Sequence, residues 1–518
     1  MSNHLIAGGE GTQEAAPRRV RAIGLLARKA ERSPSHAFDL ARAWSPTKLD
    51  RRIEALTSAE PGRSGLVLLS SNLDAFAARA LSARAAGRSL DLMYYIWHGD
   101  LTGRLLAGEV LEAADRGVRV RLLLDDLGVA GDDKAMLALD SHPNIQLRLF
   151  NPTRARSNPL RRWGEMILRA WSINRRMHNK AWIADGRIAI VGGRNVGDEY
   201  YDASEDSNFR DLDLLAMGPV LRDSERVFDT YWNSGLALPI GKLAKGIRPR
   251  LRHLRSALKR LAGSDEARPY IERLHEHMSM ENLLDQRHIH WCDRVELVAD
   301  APAKAEGRTG DNGPMRRLLP VIAGATSRVE ITSPYFIPGE EGVETLSALA
   351  RRGVAVSVLT NSLAATDVAA VHGGYAPYRL PLLGAGIRLF ELKQDGRSPR
   401  LSLRGSSRAS LHTKAFTVDD RRGFIGSLNF DPRSRSLNTE MGLIFDHPEL
   451  VRRMRDLFEE ETSPGMSYAL GLDAEGAIVW RSEDAAGSET RHRHEPRATL
   501  GRRLVARAVG WLPLESQL

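Results

Sequence analysis

Two histidines, two lysines and two asparagines recur at one spacing in the two halves of this 518-residue chain. The first set is His178-Asn179-Lys180, then Asp185, then Gly192-Gly193-Arg194-Asn195. The second is His412-Thr413-Lys414, then Asp419, then Gly426-Ser427-Leu428-Asn429. Both obey H-x-K-x4-D-x6-G-[GS]-x-N and stand 412 − 178 = 234 positions apart. A lone H-x-K is usually a surface accident; two complete copies form a paired constellation. A neutral imidazole is nucleophilic near pH 7, because its ordinary pKa is about 6.5. It can attack phosphorus and form a covalent phosphohistidine. An opposing protonated imidazole then gives its proton to the leaving alcohol and later takes one from the incoming hydroxyl.

The remaining motif residues suit supporting roles. Lys180 and Lys414 lie two positions after their histidines, which in an extended chain puts them on the same face. With Asn195 and Asn429 they can hold the non-bridging phosphate oxygens as charge builds in the transition state. Four such donors replace a metal ion, so neither a metal nor a cofactor is expected. Asp185 and Asp419 complete the catalytic motif, in a structural role: closing the turn after the strand through local hydrogen bonds. The small residues Gly192-Gly193 and Gly426-Ser427 are expected to let backbone approach a phosphate. Each histidine also needs a carboxylate on its other nitrogen to fix the tautomer. Asp211, 211 − 178 = 33 residues after His178, and Glu440, 440 − 412 = 28 after His412, are the candidates.

The elements that must position these residues repeat as well. Leu90 to Trp97 (LDLMYYIW) answers Val329 to Ile337 (VEITSPYFI), and Ala114 to Leu124 answers Ala350 to Leu359. Each half reads as strand, amphipathic helix, second strand, then the strand pair carrying the motif. The helices fall at 102–116 and 342–352, with Gly117 and Gly353 where a C-terminal cap belongs. Strand, helix and parallel strand predict an α/β fold: two homologous lobes, each a mixed sheet flanked by helices, sharing one pseudo-twofold active site. The expected organisation is an N-terminal extension (1–64), lobe 1 (65–238), a basic helical linker (239–289), lobe 2 (290–465) and a C-terminal tail (466–518). Residues 481–497 read as a mobile polar loop.

With 42% apolar residues the chain can bury substantial cores, and 74 Lys+Arg against 65 Asp+Glu leave it at +9. A basic surface favours anionic partners without separating lipid from nucleic acid. Cys292 is the only cysteine, which excludes an intrachain disulfide. No apolar run reaches the roughly 20 residues that cross a bilayer, and the N-terminus lacks the order of a secretory signal. The expectation is a cytoplasmic protein that visits the inner face of the membrane peripherally.

These residues resemble the phospholipase D superfamily, whose hallmark is the duplicated H-x-K-x4-D motif. Met93 to Trp97, Arg121 to Asp126, Arg176 to Lys180 and Val191 to Asp198 resemble bacterial cardiolipin synthases. Thr360 to Ala365, Phe430 to Ser434 and Leu437 to Gly442 resemble the C type in particular. The resemblance implies transfer of a phosphatidyl group to a histidine, then displacement by a glycerol hydroxyl of phosphatidylglycerol to give cardiolipin. It further implies phosphatidylethanolamine as donor, His178 as nucleophile and His412 as general acid/base. The implied partners are anionic and zwitterionic phospholipids, a membrane surface and an accessory protein; no nucleic acid is expected. Two alternatives share the motif: a phospholipase D that hydrolyses lipids, and a nuclease.

Several segments could reach lipid or ligand. After Pro496, Leu500, Leu504, Ala508 and Trp511 line one side of a helix, widened by Val505, Val509 and Leu512, with Arg502, Arg503 and Arg507 opposite. That pattern suits either an anionic membrane surface or packing on the protein body. Arg161 to Trp171 is a second candidate rim. His372-Gly373-Gly374-Tyr375 could touch an acceptor headgroup or start a helix with a packed tyrosine. His275, His277, His288, His290 and Cys292 match no closed zinc spacing.

Overall fold

The computed structural model describes residues 45–129, 131–153, 174–243, 250–276, 284–285, 288–308, 313–395, 408–484 and 486–510. Two large sheets dominate it. Three parallel strands lie side by side in the first, Ser89–Ile96, Arg119–Gly128 and Ile145–Phe150. The second has the same trio in Arg328–Thr332, Ala355–Asn361 and Arg388–Leu392. Each first strand also pairs antiparallel with the strand that follows a motif histidine, Ala181–Ala184 in one lobe and Ala415–Val418 in the other. Hairpins lead on to Ile188–Gly192 and Arg422–Gly426, and then to Asp213–Met217 and Met441–Asp446. The H-x-K triplets lie just ahead of these strands, in extended loops.

The helices between the parallel strands, Leu101–Asp115 and Gly339–Arg351, are set by local chemistry. Asp100 caps the first by accepting from Gly103 N at 3.0 Å. Gly117 and Gly353 follow in left-handed conformations, φ 94° and 84°, where a side chain would be strained. Helices cover one face of each sheet, and the two other faces meet. Met93, Leu123, Ile183 and Val191 of sheet 1 join Ile425, Leu443 and Phe445 of sheet 2 in one buried cluster. The helices Leu221–Trp232 and Pro448–Thr462 close that cluster with Phe228, Trp232, Leu450 and Met454. Strands buried on both faces read as near-continuous apolar runs, which is why Arg-Leu-Leu-Leu at 121–124 is a strand.

Several expected boundaries move. Lobe 1 begins before residue 65: helix Lys48–Ser58 sends Leu49, Ile53 and Leu56 into its core, and the first strand is Ser64–Leu69. Lobe 2 does not start at 290, because His290–Cys292 pairs with Ser64 to Leu66 in sheet 1. The tail beyond 465 is partly sheet. Ser467–Leu472 pairs with Arg388–Leu392, and two further strands, Ile478–Glu483 and Glu489–His492, extend that sheet to ten strands. The polar segment expected to be mobile therefore holds strands, nucleated by buried Val479 and Trp480.

The final helix, Leu500–Gly510, lies on the helix Ala369–Tyr375. The fit is close, because a Cβ at Gly373 would stand 2.4 Å from Ala506 O. Arg502 donates to the carbonyls of Leu363 and Thr366, and Arg503 to that of Glu495. Leu500, Leu504 and Val505 are left exposed at 76%, 67% and 47%, so this helix packs through its arginines and turns its leucines outward. Trp511 and the segment Arg161 to Trp171 lie outside the described residues. Among those described, no helix is long and apolar enough to cross a membrane.

Candidate active site

The histidines and lysines of the two motifs converge where the lobes meet, and the backbone of each lobe pins the histidine of the other. His178 N donates to Thr439 O at 2.9 Å, and Thr439 N to Arg176 O at 2.8 Å. Across the pseudo-twofold, Asn208–Arg210 and Ala409–Leu411 form a parallel two-stranded sheet, and His412 N donates to Arg210 O at 2.8 Å. The residues following these anchor points are Glu440 and Asp211. The orienting carboxylates are therefore the two expected ones, exchanged between lobes: Glu440 Oε2 lies 2.9 Å from His178 Nδ1, and Asp211 Oδ2 lies 2.6 Å from His412 Nδ1. Ser427 O is a second acceptor for His178 Nδ1 at 3.1 Å. Each Nδ1 thus carries a proton, which leaves each Nε2 free for chemistry. Lys414 Nζ also approaches His412 Nδ1, at 2.9 Å. One Nδ1 cannot both donate to Asp211 and accept from lysine, and the shorter carboxylate contact governs.

Charge in the site is dense and dry. Lys180 and Lys414 are almost wholly buried, and each donates to the carbonyl of its own histidine. Burial pushes Lys180 down to about 7, helped by the neighbouring Lys414, and brings Lys414 to about 8. Burial also lowers both histidines, His412 well below its ordinary value because Lys414 and Lys180 face it. Burial opposes ionisation of Glu440, but His178 and Lys180 outweigh it and hold this carboxyl below its usual range. Burial wins at Asp211, which is raised despite Lys414 and Arg194.

Three expectations about motif residues change. Asp185 and Asp419 lie in the turns beyond the motif strands. Both sit at left-handed φ (52° and 50°) in the turn at the far end of their strands, about seven residues or roughly 23 Å of extended chain from their histidines. Their bonds are long-range rather than local. Asp185 accepts from the backbone amides of Gly87, Arg88 and Ser89 and from Thr47 Oγ1. Asp419 accepts from those of Thr326, Ser327 and Arg328. Each thereby clamps the start of its lobe's first parallel strand.

The small residues make room for carboxylates and backbone rather than phosphate. A Cβ on Gly193 would stand 2.2 Å from Asp211 Oδ1, and one on Gly192 would stand 2.2 Å from Asp213 Oδ1. At the matching place in lobe 2, Ser427 Oγ donates to Glu440 Oε2. The asparagines also differ. Asn195 Nδ2 donates to Tyr200 OH at 2.8 Å and its Oδ1 accepts from Ile96 N, whereas Asn429 Oδ1 is buried without a partner. Finally, His372 lies in a charged cluster with Arg379, Glu391 and Glu495, and Tyr375 packs on Phe336. It is the packed-tyrosine reading that describes this segment.

Sequence reasoning missed the aromatic walls and the carboxylate's supports. Tyr95 meets His178 edge to face at 5.2 Å, with Lys180 Nζ 5.7 Å from its ring centre. Tyr200 and Phe209 flank His412 at 5.2 and 4.9 Å. Ser434 Oγ donates to Glu440 Oε1 at 2.8 Å, and Asp300 Oδ2 accepts from Glu440 N at 2.9 Å. Tyr95 sits within the recurring strand and was findable there; Asp300 lies outside any repeat. Two groups of described residues could in principle hold a cation, His98-Asp100-Glu199 and His372-Glu391-Glu495. Neither includes a motif residue, and Arg379 already occupies the second.

Paired H-x-K half-sites joined across two α/β lobes define an enzyme of the phospholipase D superfamily. The comparisons agree and narrow it. Residues 82–232 and 318–462 match the family described as "Cardiolipin synthase, PLD-like domain", and the chain belongs to that family. It is 40% identical to cardiolipin synthase C of Escherichia coli (strain K12), over 90% of this chain and 99% of that protein. It is 26% identical to cardiolipin synthase 1 of Bacillus anthracis, over 77% and 66%. Among solved structures, the phosphatidylserine synthase of Haemophilus influenzae Rd KW20 shares the fold, with a TM-score of 0.54 at 14% identity, over 81% of this chain and 91% of that one.

Proposed function

We propose that this enzyme makes cardiolipin by transferring a phosphatidyl group to phosphatidylglycerol, with phosphatidylethanolamine as the donor. The observation that carries the reading is the pair of imidazoles with both Nδ1 positions bound by carboxylates and both Nε2 positions free, beside two buried lysines. His178 Nε2 attacks the donor phosphorus, and the P–O bond to the headgroup alcohol breaks. The leaving oxygen takes a proton from Nε2 of His412. The glycerol hydroxyl of phosphatidylglycerol then gives its proton back to His412 and attacks phosphorus, breaking the P–N bond and freeing His178. An incoming phosphodiester anion offsets the charge of Lys180 and Lys414, which lets His412 hold the proton that the empty site denies it. Lys180, Lys414 and the Asn429 amide hold the non-bridging oxygens.

The enzyme acts at the inner face of the cytoplasmic membrane as a peripheral protein. The outward leucines of helix Leu500–Gly510 and exposed Arg507 support this, as the composition of an interfacial helix does. Hydrolysis of phospholipid to phosphatidic acid differs only in the acceptor, with water in place of the glycerol hydroxyl.

The test is lipid product analysis by mass spectrometry. Protein is incubated with chelator on vesicles of phosphatidylglycerol, with and without phosphatidylethanolamine. Cardiolipin that depends on phosphatidylethanolamine and disappears in His178→Ala supports the reading. Phosphatidic acid without cardiolipin makes the enzyme a hydrolase, and turnover of oligonucleotides alone makes it a nuclease. Co-sedimentation with the same vesicles, reduced in Leu504→Glu, tests the peripheral contact.

A further inference from the structure

A cavity of about 470 Å³ opens in lobe 2 between the helices Pro314–Ala323 and Gly339–Arg351. Leu319 and Ile322 line one wall, Ile337 and Leu346 another, and Phe430 and Pro432 the third. Its size falls within the range of ordinary ligand pockets, which are about 300–1,000 Å³. The few polar groups on it are not arranged to grip a headgroup. Arg435 and Glu341 stand at the rim, more than half exposed, and are paired with each other at 2.7 Å. Thr345 Oγ1 is spent on the Glu341 carbonyl at 2.8 Å. Apart from the buried Asp431, whose carboxyl accepts from Ser434 N, what the walls offer is a hydrocarbon environment.

The third wall is also a wall of the active site. Phe430-Asp431-Pro432 directly follows Asn429, the last residue of the second motif. Phe430 O accepts from Ile337 N at 2.7 Å and Phe430 N donates to Ser333 Oγ at 3.2 Å, so this segment is fixed to the loop leaving strand Arg328–Thr332. Asp431 turns inward, caps the short helix Pro432–Ser436 and acts electrostatically on Lys414. Arg433 acts on Tyr95, the ring against His178, and reaches Asn174 O at 3.2 Å. One turn of chain therefore has the catalytic groups on one side and the apolar cavity on the other. Beside the matching bond of lobe 1, His98 N to Val196 O at 2.9 Å, Trp97 donates to Gly103 O at 3.1 Å and stacks on Trp182.

We propose that this cavity receives one acyl chain of the phospholipid whose phosphate lies between His178 and His412. The assignment rests on the phosphatidyl-transfer reading and adds to it a binding site for hydrocarbon. Because this cavity lies in lobe 2, it anchors one substrate lipid and gives the near-symmetric site a direction. Burying methylenes there contributes binding in proportion to chain length, so long-chain lipids gain and short-chain lipids do not.

The test compares Leu319→Trp and Thr345→Trp, which fill the cavity from opposite helices, with wild type. Both substrates are presented in mixed detergent micelles: phosphatidylglycerol and phosphatidylethanolamine with dioleoyl chains, or with dihexanoyl chains. Displacing even two methylene groups corresponds to about a tenfold loss. The expected result is a rise of that order or more in apparent KM for the dioleoyl lipids, with dihexanoyl turnover unchanged. The unchanged short-chain rate also reports that the variants fold. Equal loss on both substrates in both variants, or no loss on either, overturns the pocket while leaving phosphatidyl transfer intact. No lipid product from wild type on either substrate overturns the transfer reading and the pocket with it.

Discussion

Lobe 1 and lobe 2 bring the same motif to the same site, yet they solve the problem of holding a carboxylate differently. In lobe 1 the orienting acid is the shorter Asp211, and Gly193 must lack a side chain to admit it. In lobe 2 it is the longer Glu440, held by hydroxyls from Ser427 and Ser434. The first arrangement leaves the acid raised by burial; the second keeps it ionised against burial. A firmly anionic Glu440 suits a histidine that must become cationic when it bonds to phosphorus. A less firmly charged Asp211 suits one that must pass a proton on. On the proposed mechanism, two copies of one motif take two roles, set by their neighbours rather than by the motif itself.

The largest effects should come from the histidines. His178→Ala and His412→Ala are each expected to lower turnover by about 10⁴-fold or more, since neither half can substitute for the other. Protein quenched in denaturant at neutral pH, where the P–N bond survives, and examined by peptide mass spectrometry should carry its phosphatidyl adduct on His178; an adduct on His412 would exchange the two roles. Next come the carboxylates. Glu440→Gln is expected to cost about 10³-fold and Asp211→Asn about 10²-fold in kcat, in keeping with the effect of removing an orienting acid. Equal losses would erase the distinction drawn between the lobes.

Much of this arrangement was legible in the chain before any coordinates. The strand–helix–strand repeats, the capping glycines and the paired H-x-K triplets follow from short-range patterns, and those patterns dictate local structure. The exchange of Glu440 and Asp211 does not. These contacts join residues 262 and 201 positions apart, and nothing in the spacing within one half reports a partner in the other. The reason for Gly193 was hidden for the same cause, because the atom it avoids comes from Asp211. Asp185 and Asp419 looked like turn residues and are in the turns, but their acceptors' partners lie about 90 residues or more upstream. The C-terminal hairpins were hidden by a polar composition whose few buried anchors, Val479 and Trp480, are easily outweighed in sequence.

Smaller changes sharpen the contrast between the lobes. Gly193→Ser, which copies lobe 2 into lobe 1, should clash with Asp211 and cost about 10²-fold in turnover. Ser427→Gly, the reverse copy, removes one hydrogen bond to a charged group and should cost about tenfold. A kinetic comparison of the two decides whether the pairing of small residue and acid is what matters. The mildest expectation concerns pH. Anion binding needs Lys180 and Lys414 protonated, so kcat/KM should fall as pH rises through about 7 to 8, the values burial imposes. The acid limb belongs to His178, whose attacking nitrogen must be free; burial places that limb below the ordinary histidine value. Lys180→Met should lower the plateau and leave a single alkaline transition near 8, from Lys414.

The exchange of acids between lobes has a consequence for how far the two half-sites can differ. In an isologous dimer, residue i of one subunit meets residue j of the other, and the reverse contact follows by symmetry. His178 with Glu440 and His412 with Asp211 reproduce that rule inside a single chain. The arrangement is that of a two-fold dimer carried in one chain. In a symmetric dimer any substitution at the acid alters both half-sites at once, and neither can specialise. A single polypeptide carries no such constraint, and this one holds an Asp–Gly pair on one side and a Glu–Ser pair on the other.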